Sequence, residues 1–175
     1  MKTALLLLAL ALSGLAPDAV AAQDQPRANA AVGAGQAIDA RRTETQIFRV
    51  TDANQLCKDL DARGRTNVYG ILFETDTADI KPESQSQLAA IADLMTQNPD
   101  LRLDVVGHTD NQDGASDNLK LSDMRAFSVV AELSLRYRID RARLNPFGQG
   151  LGRPVASNTD EAGRALNRRV ELVRR

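Results

Sequence analysis

Leu101-Arg102-Leu103-Asp104-Val105-Val106 runs directly into Gly107-His108-Thr109-Asp110, and the reading of this stretch decides the reading of the chain. Polar and apolar side chains alternate and then turn apolar, which predicts a strand whose C-terminal tip delivers residues 107–110 into a loop. Residues 111–117 are turn chemistry, and Asp117 or Asn118 is placed to cap a helix reaching about Tyr137. On that helix Asn118, Ser122 and Arg125 are spaced four and three apart, so they share one face. Ala126, Val129, Val130 and Leu133 form the stripe that should meet a sheet, which brings Arg125 to the border of the core. A guanidinium there cannot shed its charge and is costly unless paired, so it requires a carboxylate from the protein or from a ligand. Asp110 is the protein's own candidate.

Outward from this stretch the pattern continues as alternating elements. Residues 47–51 read as a short strand, and Asp52 or Asn54 starts a helix that holds Cys57 and ends near Gly64. Residues 67–73 read as a strand. Lys81-Pro82-Glu83-Ser84 opens a helix with proline in its first turn, Leu88, Ile91, Ala92 and Met95 give its apolar stripe, and Asn98-Pro99-Asp100 stops it. Residues 143–147 read as a short strand, 155–163 as a loop with one helical turn, and 169–174 as a final strand. The order strand, helix, strand, helix, strand, strand predicts an α+β fold, a mixed sheet with helices packed on one face.

The N-terminus has Lys2, an apolar run over residues 4–12, and small residues ending in Val20-Ala21-Ala22 before Gln23. Residues 1–22 therefore read as a secretory signal peptide cleaved after Ala22, its apolar run falling well short of the ~20 residues of a membrane span. No cysteine follows the run where a lipid would be attached, so no lipid anchor is expected. Residues 23–46, rich in Ala, Gly, Gln and Asn, read as a flexible tether, and 47–66 as a small βα extension ahead of the domain at 67–175. A membrane β-barrel is excluded, because even eight strands of ~9 to 11 residues would outrun the segment before Val68.

Composition narrows the function classes further. The balance of 22 basic against 23 acidic residues and the scarcity of aromatics leave no nucleic-acid footprint. Cys57 is the sole cysteine and reads as a half-buried inert thiol. His108 is the sole histidine, which argues against a multi-histidine metal site, and its expected role is to hold its loop through hydrogen bonds to backbone. A nucleophilic hydrolase would need an activated Ser or Cys beside a base, so an enzyme built on Asp110 and His108 is disfavoured and no cofactor is expected.

Several ordered pieces of the chain resemble the OmpA-like peptidoglycan-binding domain, the module of outer-membrane protein A, the peptidoglycan-associated lipoprotein and the flagellar stator protein B. They are Ile71-Leu72-Phe73-Glu74-Thr75, Ile80-Lys81-Pro82-Glu83-Ser84, the Gly-His-Thr-Asp loop, Leu121-Ser122-Asp123-Met124-Arg125-Ala126, Gly148-Gln149-Gly150, and Asn167-Arg168-Arg169-Val170-Glu171. The resemblance implies an OmpA-like βαβαββ sandwich that binds peptidoglycan without catalysis, in the periplasm or cell envelope. It implies that Asp110 takes the ammonium of a diaminopimelate in the stem peptide and Arg125 its carboxylate. Asn118, Asp76, Thr109 and Arg168 match secondary positions around that pocket. An aspartate accepts from an ammonium and a planar guanidinium suits a carboxylate, so the chemistry agrees. Two alternatives stand beside it: an Asp110–Arg125 salt bridge that serves only the fold, and an envelope partner docked by the N-terminal extension. Two departures mark this chain. Gly114 lies four residues after Asp110 where the family's glycine lies three after, and Arg138 stands where the family's helix ends on glycine, so it must cap differently or accept strain.

Overall fold

The computed structural model describes residues 51–112 and 114–175; the expected signal peptide, tether and all but the last residue of the strand at 47–51 lie outside them. Chain order is α1 (Ala53–Arg63), β1 (Arg65–Val68), α2 (Gln85–Gln97), β2 (Leu103–His108), α3 (Ala115–Leu135), β3 (Leu144–Gly150), α4 (Glu161–Asn167) and β4 (Val170–Arg174). The sheet is mixed, in the order β1-β4-β2-β3. β4 pairs antiparallel with both β1 and β2, while β2 and β3 run parallel, joined by the long crossover through α3. Pro146 sits in β3, an edge strand, where a missing N–H does not interrupt an interior ladder.

Alternation along the strands divides the sheet into two faces. Val68, Leu103, Val105, Val170 and Leu172 share a core with Leu56 and Leu60 of α1, Leu88, Ile91 and Met95 of α2, and Val129 and Leu133 of α3. Burying a side chain of this size contributes about 1.5–3 kcal/mol, so this face provides the main apolar stabilisation of the sheet. The opposite face carries Asp104, Val106 and His108, with Glu171 opposite Val106. Cys57 is half-buried and reduced, its Sγ 3.6 Å from Asp61 Oδ2; burial and the Asp61 charge raise its pKa, consistent with an inert thiol.

The element types match expectation except at α4, a helix over Glu161–Asn167 where only a loop with one helical turn was expected, and several boundaries move for identifiable reasons. The strand expected at 67–73 is confined to Arg65–Val68, because Gly70 turns the chain at φ 81, after which Phe73 forms an isolated bridge with Ile80. Ser84 then ties this segment to the start of α2, accepting from Leu72 N at 2.8 Å and donating to Leu72 O at 3.1 Å. Strand β2 extends through Gly107 and His108, so the loop proper begins at Thr109. Helix α3 starts at Ala115 with Gly114 as its N-cap, not at Asp117 or Asn118. Asp117 instead lies in the first turn, where its charge suits the helix dipole. Arg138 accepts the strain, with φ 61, a conformation that costs a non-glycine residue about 1 kcal/mol or more.

Helix α3 approaches the sheet so closely that two strand positions have no room for a side chain. A Cβ on Gly107 would overlap the Ser122 carbonyl oxygen, and one on Gly148 would overlap the Ser122 hydroxyl and the Asp123 amide. Ser122 Oγ meanwhile accepts from Gly150 N at 2.9 Å and donates to Leu119 O at 2.8 Å. Gly107→Ala should therefore lower stability by about 2–3 kcal/mol, read as a reduced urea midpoint in circular dichroism. An unchanged midpoint would show that α3 can move off the sheet without cost.

Candidate functional site

The strand tip that carries the site is held from both sides. His108 N donates to Arg169 O at 3.0 Å, ahead of β4, and Thr109 N donates to Gly150 O at 3.1 Å, at the end of β3. Asp110 emerges from this clamp 7% exposed. Its Oδ1 accepts from Gln112 N at 3.1 Å, closing a local turn, and its Oδ2 accepts from Arg168 Nη1 at 2.7 Å. Arg168 bridges onward, its Nη2 donating to Glu161 Oε1 at 2.5 Å. Burial alone lowers the Arg168 pKa, but the hydrogen bonds it donates to Asp110 and Glu161, with their negative charges, outweigh it and the net shift is upward.

Asp110 therefore pairs with Arg168, not with Arg125 as the sequence suggested. The reason is tertiary: Asn167, fully buried at the end of α4, accepts from Val155 N and Ala156 N and donates to Ala156 O and Asn158 Oδ1. That anchor sets the next residue, Arg168, beside a carboxylate 58 residues away. Arg125 is half-buried on α3, and its Nε donates to Thr77 O at 2.9 Å. Its guanidinium also stacks over the Phe73 ring at 5.0 Å, a cation–π contact of about 0.5–2 kcal/mol.

All six side chains singled out from the sequence line one cavity of about 220 Å³: Asp76, Thr109, Asp110, Asn118, Arg125 and Arg168. Asn118 is 1% exposed and Thr109 is 4% exposed, with no hydrogen-bond partner for the Thr109 hydroxyl among the described residues. Asp76 is exposed on the loop after Phe73, with φ 55. The cavity thus presents both carboxylates and guanidiniums within a small volume, an arrangement suited to a ligand that carries both signs of charge.

His108 serves a different end from the one expected of it. Among the described residues its side chain makes no hydrogen bond to backbone; Nε2 lies 3.0 Å from Glu171 Oε2 on the neighbouring strand, and Nδ1 has no partner among them. Burial, then the positive charge of Arg169, hold its pKa down to about 4 against the opposing pull of Glu171. The ring is therefore neutral at pH 7, with Nε2–H donating to the carboxylate.

Other contributors to the site carried no recognised signal. Glu161, the second partner of Arg168, sits on α4, whose N-terminus Asp160 caps by accepting from Gly163 N at 2.7 Å; residues 155–163 read as mostly loop. An aspartate three residues ahead of Gly163, with Glu161 in the first turn, was the cue for that helix. The Thr77 carbonyl acts through the fold and no local spacing marks it, whereas Ser122 lies on the face that its spacing from Asn118 and Arg125 predicts, and only its bond to Gly150 N is tertiary. Among the described residues no group of three or more His, Cys, Asp or Glu is placed to hold a metal, and no helix is long and apolar enough to cross a membrane.

Comparison with known proteins places this geometry in context. A model of the OmpA family matches residues 72–168. Outer membrane porin F of Pseudomonas aeruginosa is 40% identical over 101 residues, 58% of this chain and 29% of that protein. Peptidoglycan-binding protein ArfA of Mycobacterium bovis is 35% identical over 118 residues, 67% of this chain and 36% of that protein. The chain thus spans about a third of the length of either relative. The crystal structure of the peptidoglycan-associated lipoprotein from Burkholderia pseudomallei superposes with a TM-score of 0.53 at 28% identity, covering 65% of this chain and 92% of that one.

The buried histidine makes stability depend on pH with a definite sign. Its folded pKa of about 4 lies below the unfolded value of ~6.5, so the unfolded chain takes up the proton first. Stability is full above ~6.5 and falls as pH drops toward 4. Between pH 7 and pH 4.5 the wild type should lose on the order of 2 kcal/mol more than His108→Gln, compared by urea unfolding at both pH values. Equal losses in the two proteins would assign the effect to other groups.

Proposed function

The chain belongs to the OmpA family, and from that membership we propose that it binds cell-wall peptidoglycan, without catalysing a reaction on it, through the diaminopimelate of the stem peptide. The observation that carries the reading is the single cavity that brings Asp110 and Asp76 together with Arg125 and Arg168. A carboxylate offers two lone pairs on each oxygen, so Asp110 can accept from a ligand ammonium while it holds Arg168 and the Gln112 amide. The Arg168 bond fixes the plane of that carboxylate in advance, which reduces the ordering cost of binding. Arg125, held by Thr77 and Phe73, supplies a planar guanidinium whose geometry suits the ligand carboxylate. Asn118, Thr109 and Asp76 complete the polar lining.

The same reading places the protein in the periplasm or cell envelope, exported by the signal at residues 1–22, with the segment ahead of α1 available to a protein partner. The name of the mycobacterial relative, a peptidoglycan-binding protein, supports the ligand class.

Co-sedimentation with purified diaminopimelate-type peptidoglycan tests the site. Asp110→Ala and Arg125→Ala should each weaken binding by about 10- to 100-fold, the worth of one charge-assisted hydrogen-bonded contact. Undiminished sedimentation of both variants would sink the site, and release of soluble muropeptides would revive a hydrolase. A wall whose stem peptide carries lysine lacks the distal carboxylate and should bind roughly tenfold more weakly to the wild type. Equal affinity for both walls would mean that Arg125 does not read that group.

A further inference from the structure

At the end of the sheet away from the Asp110 cavity, each strand starts or stops at an arginine or next to one. Arg65 opens β1, and Arg174 ends β4 in register with Leu103 of β2. Arg102 immediately precedes β2, and its carbonyl accepts from Arg175 N at 3.0 Å. The short helical turn Arg141–Arg143 leads into β3, and Arg63 ends α1 beside Gly64, whose carbonyl accepts from Arg174 N at 2.8 Å. Strand pairing thus gathers cations from four separate parts of the chain onto one surface. All of these arginines are exposed except Arg143, which is half-buried and donates to the carbonyls of Met95, Asn98 and Leu101.

The local acids offset only part of this charge. Arg174 Nη2 lies 2.7 Å from Asp61 Oδ1 and Arg175 Nε lies 3.4 Å from Asp104 Oδ1, surface pairs that solvent screens. Arg65 shares Glu171 with His108, and Asp140, close to Arg141, uses its Oδ1 to accept from Ala142 N. Asp100 also lies here, two residues from Arg102. Arg63, Arg102 and Arg141 form no ion pair with the described residues. Beside them Phe127 of α3 is 60% exposed, with the Arg141 guanidinium 5.8 Å from its ring centre. Guanidiniums suit phosphate oxygens, and an aromatic ring at their margin suits the boundary between headgroups and acyl chains. A soluble polyanion would leave that ring in water.

We propose that this arginine-rich end, with Phe127 at its margin, docks the domain peripherally on an anionic phospholipid surface. Strand β2 runs from the patch toward Asp110 over six residues, roughly 20 Å and more than two Debye lengths in physiological salt. The two ends therefore act without electrostatic interference, so lipid at one leaves the Asp110 cavity open at the other. The inference rests on the placement of charge and stands or falls independently of wall binding.

Co-sedimentation of the full chain with phosphatidylcholine vesicles, with and without about 30% phosphatidylglycerol, tests it. The anionic vesicles should bind at least about tenfold more strongly than the neutral ones at ~0.05 M salt, and the difference should vanish near ~0.5 M. Replacing Arg63, Arg102 and Arg175 together by Gln should weaken binding to the anionic vesicles on the order of 100-fold, about fivefold for each charge. Lys81→Gln, Lys120→Gln and Arg153→Gln together, away from the patch, should change it by less than about twofold. Phe127→Ser should weaken it about fivefold. Should the arginine triple variant lose the wild-type circular dichroism, Arg102→Gln alone should still show the fivefold loss. Equal binding to both vesicles, wild-type binding by the arginine variants, or equal losses in the two triple variants would each overturn the proposal. Binding that inorganic polyphosphate abolishes and Phe127→Ser leaves unchanged would overturn it too, in favour of a soluble polyanion.

Discussion

The close approach of α3 to the sheet at Ser122 is the constraint on which the rest depends. Gly107 and Gly148 lack the side chains that would hold the helix away, and the Ser122 hydroxyl uses the gap to bind the Gly150 amide. With Ser122 held there, the residue three positions on is carried to the mouth of the β2 tip. That residue is Arg125, and its distance from the Thr109–Asp110 loop follows from the packing at Ser122. The same contact leaves Ala126, Val129 and Leu133 facing the core, so one helix joins the apolar layer to the polar pocket. Strand tip, helix and crossover strand β3 are therefore one mechanical unit.

Electrostatics divides the end of this unit into two environments. In the cavity around Asp110, positive and negative groups are interleaved, and the Glu161–Arg168–Asp110 chain holds the buried carboxylate without spending all of its acceptor capacity. A neighbouring cavity of about 340 Å³ has apolar walls from Ile71, Leu72, Phe73 and Val170, and no acidic residue lines it. The Arg125–Phe73 stack between them places a charge over an aromatic face, a contact that tolerates both sides without requiring a buried carboxylate. Arg168 and Arg169 are consecutive in sequence yet take opposite roles, one paired with two acids and the other with neutral acceptors.

Much of this was legible in the residues. The periodicities over α2 and α3, the proline opening of α2 and the alternation of β4 are local signals, set by side-chain spacing and turn chemistry within a few residues. Asn118, Ser122 and Arg125 share a face because helical geometry alone puts them there. The structure places Asp76, Thr109, Asp110, Asn118, Arg125 and Arg168 around one cavity. Less legible were the breaks: Gly70 ended β1 early, Gly114 took the cap expected of Asp117 or Asn118, and Arg138 occupied a left-handed conformation that its own propensity disfavours.

What only the tertiary structure decided was partnership. Asp110 pairs with Arg168 across 58 residues and His108 with Glu171 across 63, because β4 returns antiparallel between β1 and β2 and brings the Asn167–Glu171 segment to the strand tip. Spacing along a chain identifies residues that share a face, but it holds no information on which of several arginines will lie within 3 Å of a given carboxylate. The amino-acid sequence by itself determined the elements, their apolar faces and the chemical types available at the β2 tip. The packed sheet and the anchored end of α4 chose the pairs, since ion-pair and hydrogen-bond energies depend on distances of an ångström or less that are set by the whole fold.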